Sequence, residues 1–173
     1  CRLSFYTIYI HRRNTRVGDV MSNFSDFIGG GGGGSFPTIF LHNSQTWVPP
    51  QDGNIMIHVI GAGGSGSVSN SYQITSGAAG GYCRKNSLAV TTSGSFTVVI
   101  GAGGASRIGS AGAGTAGGTT SVAGTGLSST LTATGGAGGP YANPAYTTGG
   151  VGSNGDFNSN GGRGGYLKGG GAV

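Results

Sequence analysis

The sequence predicts an all-β protein: a small antiparallel β-sandwich or β-sheet domain that continues into packed, polyglycine-II-like glycine-rich segments, with essentially no helix. Three observations carry this expectation. Apolar residues come in short runs or in alternation, bounded by Gly, Ser, Thr and Asn, and nowhere in a sustained 3.6-residue period. Glycine makes up 41 of 173 residues without the strict third-residue repeat of collagen. Charged residues are only 8% and glutamate is absent, whereas ordinary disordered chains are rich in charge.

Four stretches follow from composition. The chain opens on Cys1, and Met21 begins "MSNFSDFIGGGGGG", so residues 1–20 are expected to be an upstream read-in or fragment, and "YTIYIHRR" is given no role. Residues 21–35 end in the run Gly29 to Gly34 and read as a flexible glycine linker. Residues 36–134 read as a glycine-rich β domain, and 135–173 as glycine-rich segments with aromatic loops, cut short at "KGGGAV". Large apolar residues occupy 21 of the 65 positions from Phe36 to Ile100 but only 11 of the 73 that follow. The first part can bury a modest core; the second cannot do so by side-chain packing alone.

The body of the chain then divides into elements. "FPTIFLHNSQTWVPP" is a short apolar entry that stops at Pro49 and Pro50, which a central strand does not admit. "GNIMIHVIG" is a strand apolar on both faces and therefore expected to be buried. His58 within it has no second His, Cys or acid at a readable spacing, so it reads as a packed histidine and not a ligand. "NSLAVTTSGSFTVVIG" alternates Leu88 and Val90, then Phe96, Val98 and Ile100, about Ser93-Gly94, which predicts a β-hairpin. "SSTLTATGG" predicts a further strand with Leu131 and Ala133 on one face.

Gly61, Gly63 and Gly66 complete G-x-G-x-x-G after a strand, the pattern of a dinucleotide site. Such a site needs a helix N-terminus for the pyrophosphate and an acid about 20 residues on. The chain continues "SVSNSYQITSGAAGG", which is poor in helix formers, and has no acid between Asp52 and Asp156. The phrase also returns at "FTVVIGAGGAS". A repeated phrase is structural, so no cofactor is expected.

Glycine at strand ends lets backbones approach closely and leave β geometry without steric cost. Threefold extended segments lack internal hydrogen bonds, so each N–H and C=O needs a neighbour or water. Several packed side by side replace a core with interchain bonds. The clusters "TGGAGGP", "TTGGVGSNG" and "SNGGRGGY" are expected to form such a framework, with "PYANPAY", "DFN" and "YLK" as loops at its ends.

No catalytic apparatus is legible. Four Asp and three His are dispersed, and neither Lys85 nor Lys168 is followed by the Ser or Thr of a phosphate loop. Cys1 and Cys83 have no metal-ligand spacing. Arg84 and Lys85 beside Cys83 could favour a thiolate, but an incidental strand-edge cysteine is the simpler reading. The chain is thus expected to be no enzyme, with no metal and no small-molecule substrate. The net charge of +5 stems mainly from Arg2, Arg12, Arg13 and Arg16, so a nucleic-acid surface is not encoded in the body. No apolar run is long enough to span a membrane.

"FLHNSQTWVPPQDGNIMIHVIGAGGSGS" followed by "GAAGGYCRKNSLAVTTSGSFTVVIGAGG" resembles the glycine-rich domain of bacteriophage tail-fibre proteins. From Gly135 the chain resembles the distal adhesins of T-even-type phages, in which polyglycine helices pack into a sandwich and intervening loops contact the host. The resemblance implies a virion tail-fibre protein, both structural and adhesive. Its partners would be a bacterial outer-membrane protein or surface glycan and other fibre subunits. Carried over by position, it implicates Tyr141, Asn143, Tyr146, Phe157 and Tyr166 as receptor contacts. Two alternatives stay open: a glycine-rich RNA-binding protein, from the single "GGRGGY", and a secreted, extracellular glycine-rich wall or matrix protein.

Overall fold

The computed structural model describes residues 8–11, 38–68, 74–141 and 145–167. Among them there are strands, turns and extended spans but no helix. The expectations for Met21, the Gly29 to Gly34 run and the last residues of the chain lie outside the described residues. The strands are β1 Ile8–His11, β2 Ile39–Leu41, β3 Gln45–Trp47, β4 Gly53–Ile60, β5 Ile74–Thr75, β6 Tyr82–Val90, β7 Phe96–Val99, β8 Thr120–Gly124, β9 Leu131–Ala133, β10 Gly152–Ser153, β11 Phe157–Ser159 and β12 Tyr166–Leu167.

Two five-stranded antiparallel sheets, ordered β11-β6-β4-β1-β2 and β10-β9-β8-β7-β3, face one another as a sandwich. Alternation decides what goes inside. Ile55, Ile57 and Val59 of β4 and Cys83, Leu88 and Val90 of β6 meet Phe96 and Val98 of β7, Val122 of β8, and Leu131 and Ala133 of β9. The other face of β4 (Met56, His58, Ile60) is only half-buried. Trp47 packs on its cross-strand partner Phe96 with ring centroids 5.6 Å apart. Each buried Ile, Val or Leu is worth about 1.5 to 3 kcal/mol, and among the described residues Phe96 is the one aromatic ring buried in this core, with Trp47 packed against it.

The expected hairpin about Ser93-Gly94 does not form. Its two halves are β6 and β7, which lie in different sheets: β6 pairs with β4 and β11, β7 with β3 and β8. The local turn is real, with the Gly94 N–H donating to the Thr91 carbonyl at 2.9 Å. It serves as a corner between sheets, because the Thr92 N–H is held by the Asp52 carboxylate (2.8 Å) and Ser95 is bonded to Thr125 of the β8–β9 turn. Leu88 and Val90 therefore face Phe96 and Val98 across the core instead of lying beside them.

A bulge in β6 keeps this arrangement in phase. Between the pairs Ile57↔Lys85 and Ile55↔Leu88, β6 carries one residue more than β4. Without it Leu88 and Val90 would turn outward, since one residue reverses every side chain beyond it. The spare Asn86 N–H donates to Asp156 (2.7 Å), whose other oxygen accepts from Lys85 Nζ (2.7 Å).

From the sandwich the chain runs out and back in glycine-rich spans: I (61–68), II (75–81), III (101–107), IV (112–119), V (134–140), VI (147–151) and VII (160–165). The N–H groups of Gly61, Gly64 and Ser67 donate to carbonyls of Gly81, Ala78 and Thr75 in span II. Those of Ala62, Ser65 and Val68 donate to Gly118, Thr115 and Gly112 in span IV. Both ladders advance three residues at a time, the repeat of a polyproline-II-type helix and not the two of a strand. The carbonyls of Ala62, Gly63 and Ser65 accept from Gly136, Gly104 and Gly139, so span I is surrounded by spans II, III, IV and V.

Such proximity leaves no room for side chains. A β-carbon added to Gly61 would fall on the Thr134 carbonyl, and one on Gly135 on that of Gly117. The boundary expected at 134/135 passes through the middle of this bundle, because span V bonds to spans I, II and IV. Ser and Thr hydroxyls serve where ladder gives way to span: Ser44 Oγ accepts from Ile100 N–H, Thr120 Oγ1 from Gly101 N–H and Thr134 Oγ1 from Val151 N–H.

Candidate functional site

Successive spans reverse direction, so their connections alternate between two ends. Leaving β4, span I runs outward, and the ladders Ser67–Thr75, Val68–Gly112 and Thr147–Gly164 mark the level of the far end. The described span ends at Val68, Ile74, Tyr141 and Thr147 and the 107–112 connection, together with β12, lie at this tip. The connections through β8–β9 and β10–β11 return to the sandwich.

The tip gathers exposed apolar groups from segments remote in sequence. Tyr146 and Tyr166 meet edge to face, their centroids 5.2 Å apart, although Tyr146 remains 68% exposed. Beside Tyr166, Leu167 is 65% exposed, and β12 pairs with β5, which contributes exposed Ile74. Tyr141 follows Pro140 at the end of span V and is exposed, and Ile108 stands out at 89%. An edge-to-face pair contributes roughly 0.5 to 1.5 kcal/mol beyond burial, enough to order two rings without hiding them.

Of the residues implicated from sequence, Tyr141, Tyr146 and Tyr166 are thus at one end of the bundle. Asn143 lies outside the described residues. Phe157 is elsewhere: it belongs to β11, opposite Arg84 of β6. Its ring touches Tyr82 (5.9 Å between centroids) and lies under the Arg84 guanidinium (5.5 Å), whose Nε is buried without a hydrogen-bond partner. Tyr82 in turn holds His58, with Tyr82 Oη and His58 Nδ1 2.8 Å apart. The "DFN" insert is therefore part of the sandwich and not of the tip. Sequence reasoning missed Ile74, Ile108 and Leu167 at the tip; "SRIGS", an isolated large apolar residue in a polar glycine loop, was the available signal for Ile108.

The charges divide between the ends. The described acids, Asp52 and Asp156, both serve the sandwich. Hydrogen bonds from Lys85 and from the Asn86 N–H hold the Asp156 carboxyl below its ordinary value. Among the described residues the bundle carries Arg107 and Arg163 and no acid. Arg107 bends back so that its Nε–H donates to the Ala113 carbonyl (2.8 Å).

Two other readings can be weighed against geometry. The Gly61-Gly63-Gly66 pattern enters span I, where the N–H groups of Gly61, Ala62, Gly64 and Ser65 are already given to other spans. They do not form a cradle for phosphate. Cys83 lies in the core on an interior strand, not at an edge, and burial pushes its thiol up, away from the thiolate that its basic neighbours suggest. Among the described residues no three His, Cys, Asp or Glu come together to hold a metal ion, and no helix is long and apolar enough to cross a membrane.

No curated protein and no solved structure matches the chain significantly. The family model described as a glycine-rich domain matches residues 40–173, which takes in β3 to β12 and all seven spans. On that match, over most of its length, the chain belongs to the glycine-rich domain family.

Proposed function

We propose that this protein is a non-enzymatic tail-fibre or adhesin component of a phage, a structural module whose far end binds a bacterial surface. A bacterial outer-membrane protein or surface glycan is the receptor, other fibre subunits are neighbours, and the virion is the site of action. The observation that carries the reading is that six of the eleven exposed large apolar residues among those described, Ile74, Ile108, Tyr141, Tyr146, Tyr166 and Leu167, stand at the end of the bundle away from the sandwich. Exposed apolar groups concentrated in one place mark interaction sites, whereas scattered ones need no explanation. Side chains standing at the ends of hydrogen-bonded spans lose little freedom on binding, so more of the contact energy appears as affinity. Aromatic rings supply that contact at low entropic cost. Arg107 and Arg163, with no described acid on the bundle, favour a receptor bearing anionic groups.

The test is binding of the purified full-length chain to a panel of outer-membrane vesicles and lipopolysaccharides by biolayer interferometry. Saturable binding to at least one, lost in Tyr146→Ala/Tyr166→Ala with the melting temperature nearly unchanged, is the expected result. Absence of binding across the panel, together with micromolar, salt-sensitive binding of single-stranded RNA, would replace this reading with that of an RNA-binding protein.

A further inference from the structure

The segment given no role from sequence holds a central place in the first sheet. β1 lies between β2 and β4, pairing Ile8↔Leu41 and Ile10↔Ile39 on one side and Tyr9↔His58 and His11↔Met56 on the other. It comes from outside the matched glycine-rich domain, which begins at residue 40. Neighbouring antiparallel strands need a turn of only about two to five residues, yet residues 12–38, twenty-seven in all, separate β1 from β2. β2 depends on β1 wholly for its place in this sheet, since its next neighbour in the chain, β3, belongs to the other sheet. Leu41 of β2 nevertheless sits in the core. The matched domain without β1 is thus a sandwich with a slot one strand wide, bordered by the unpaired backbone edges of β2 and β4.

We propose that this slot is an interface between copies of the chain, in which the 8–11 strand of one molecule fills the β2–β4 slot of another. A strand that fills the slot from its own chain or from a second copy makes the same ladder bonds. The choice between them is therefore set by the connection and the concentration of chains. Closure through a longer connection is less probable, and the concentration it must be compared with is in the millimolar range or below. Exchange is thus favoured when chains fold together in concentrated solution or side by side in an assembly. Main-chain pairing supplies the affinity, as in other cases where an extended segment is added to a sheet.

The test uses the full chain. It is unfolded in guanidinium chloride, refolded at protein concentrations from 5 µM to 1 mM and sized by gel filtration with light scattering; these are chosen conditions, on the order of the range above. A dimer that grows with refolding concentration and persists after dilution is expected. Tyr9→Pro, which removes a backbone donor from the ladder, should abolish it. A second variant carries a protease site in place of Gly29 to Gly34. After cleavage, the N-terminal piece should co-elute with the body, and the amides of residues 56–58 should stay protected from hydrogen exchange. Refolding as monomer at every concentration would overturn exchange between copies. Separate elution of the cleaved piece would overturn the slot itself, whatever the result of the receptor-binding experiment.

Discussion

Gly61 and Thr134 lie in such close contact that the hydrogen on the Gly61 α-carbon occupies the only space the Thr134 carbonyl leaves. That contact is made by main chain on both sides, so it cannot relax by turning a rotamer. Gly61→Ala is therefore predicted to destabilise the protein by about 3 kcal/mol or more, at the upper end for overpacking. A fall of roughly 6 to 12 °C in melting temperature is the expected reading for a domain of this size. Gly162 provides the control, because a β-carbon there meets nothing within 4 Å. Gly162→Ala should leave stability unchanged or raise it by about 0.4 to 1 kcal/mol, through the unfolded chain. Equal melting temperatures for the two variants would show that span I is not packed against span V.

How much of this was legible in the sequence depends on the range of the interaction. The strands at Ile55, Leu131 and Phe96 follow from alternation, and glycine clusters at strand ends foretell extended spans. What alternation cannot carry is the choice of partner. Leu88-Ala-Val and Phe96-Thr-Val fit a hairpin locally, and pairing of β6 with β4 and of β7 with β8, together with the Asp52 and Thr125 bonds to residues 92–95, turns them into facing strands. That Phe157 lies in the sandwich and not at the tip was not legible for a related reason: "DFN" and "YLK" look alike, both flanked by glycine. Counting reversals separates them. An insert after an odd number of spans falls at the tip, and one after an even number falls at the sandwich.

The two kinds of aromatic residue should separate in experiment. Tyr146→Ala and Tyr166→Ala remove exposed rings, so each should cost at most about 1 kcal/mol of stability. On the proposed function each should weaken receptor binding about 30-fold or more, as for central interface aromatics. Phe157 is exposed as well, but its ring is held against Tyr82 and the Arg84 guanidinium within the sheet, so Phe157→Ala should do the reverse. It frees the Arg84 guanidinium and loosens β11 against β6, lowering the melting temperature while leaving receptor affinity within about 2-fold. Loss of binding in Phe157→Ala at unchanged stability would move the binding surface to the sandwich.

The Asp156 carboxylate gives the β6 bulge a pH dependence. Its folded-state pKa is lowered, first by the Lys85 hydrogen bond and then by the Asn86 N–H. The unfolded chain thus binds its proton more readily, and the stabilisation is present above the ordinary aspartate value of about 3.9. It is lost as pH falls through the lower, folded value. The group is exposed and screened, so the effect is small, within about 1 kcal/mol. In urea melts, wild type should lose stability relative to Asp156→Asn as pH drops below 4, and the two should converge. A constant gap down to pH 2, a chosen endpoint below about 3.9, would mean that the carboxylate charge does not hold Asn86.

Cys83 tests whether the core is closed. Its thiol belongs to the core cluster with no exposed surface, and burial, outweighing backbone hydrogen bonds at Ser153 and Thr132, raises its pKa. The nucleophilic form is the thiolate, and a buried, uncharged thiol is inert. In the native protein Cys83 should therefore react with a disulfide reagent far more slowly than in the unfolded chain, and only through opening of the sandwich. Because Cys1 lies outside the described residues, the measurement is made on a Cys1→Ser background. Cys83→Ala leaves a small void and should cost about 1 kcal/mol. If the thiol reacts in the folded protein as fast as in the unfolded chain, water reaches this position and the two sheets do not close over it.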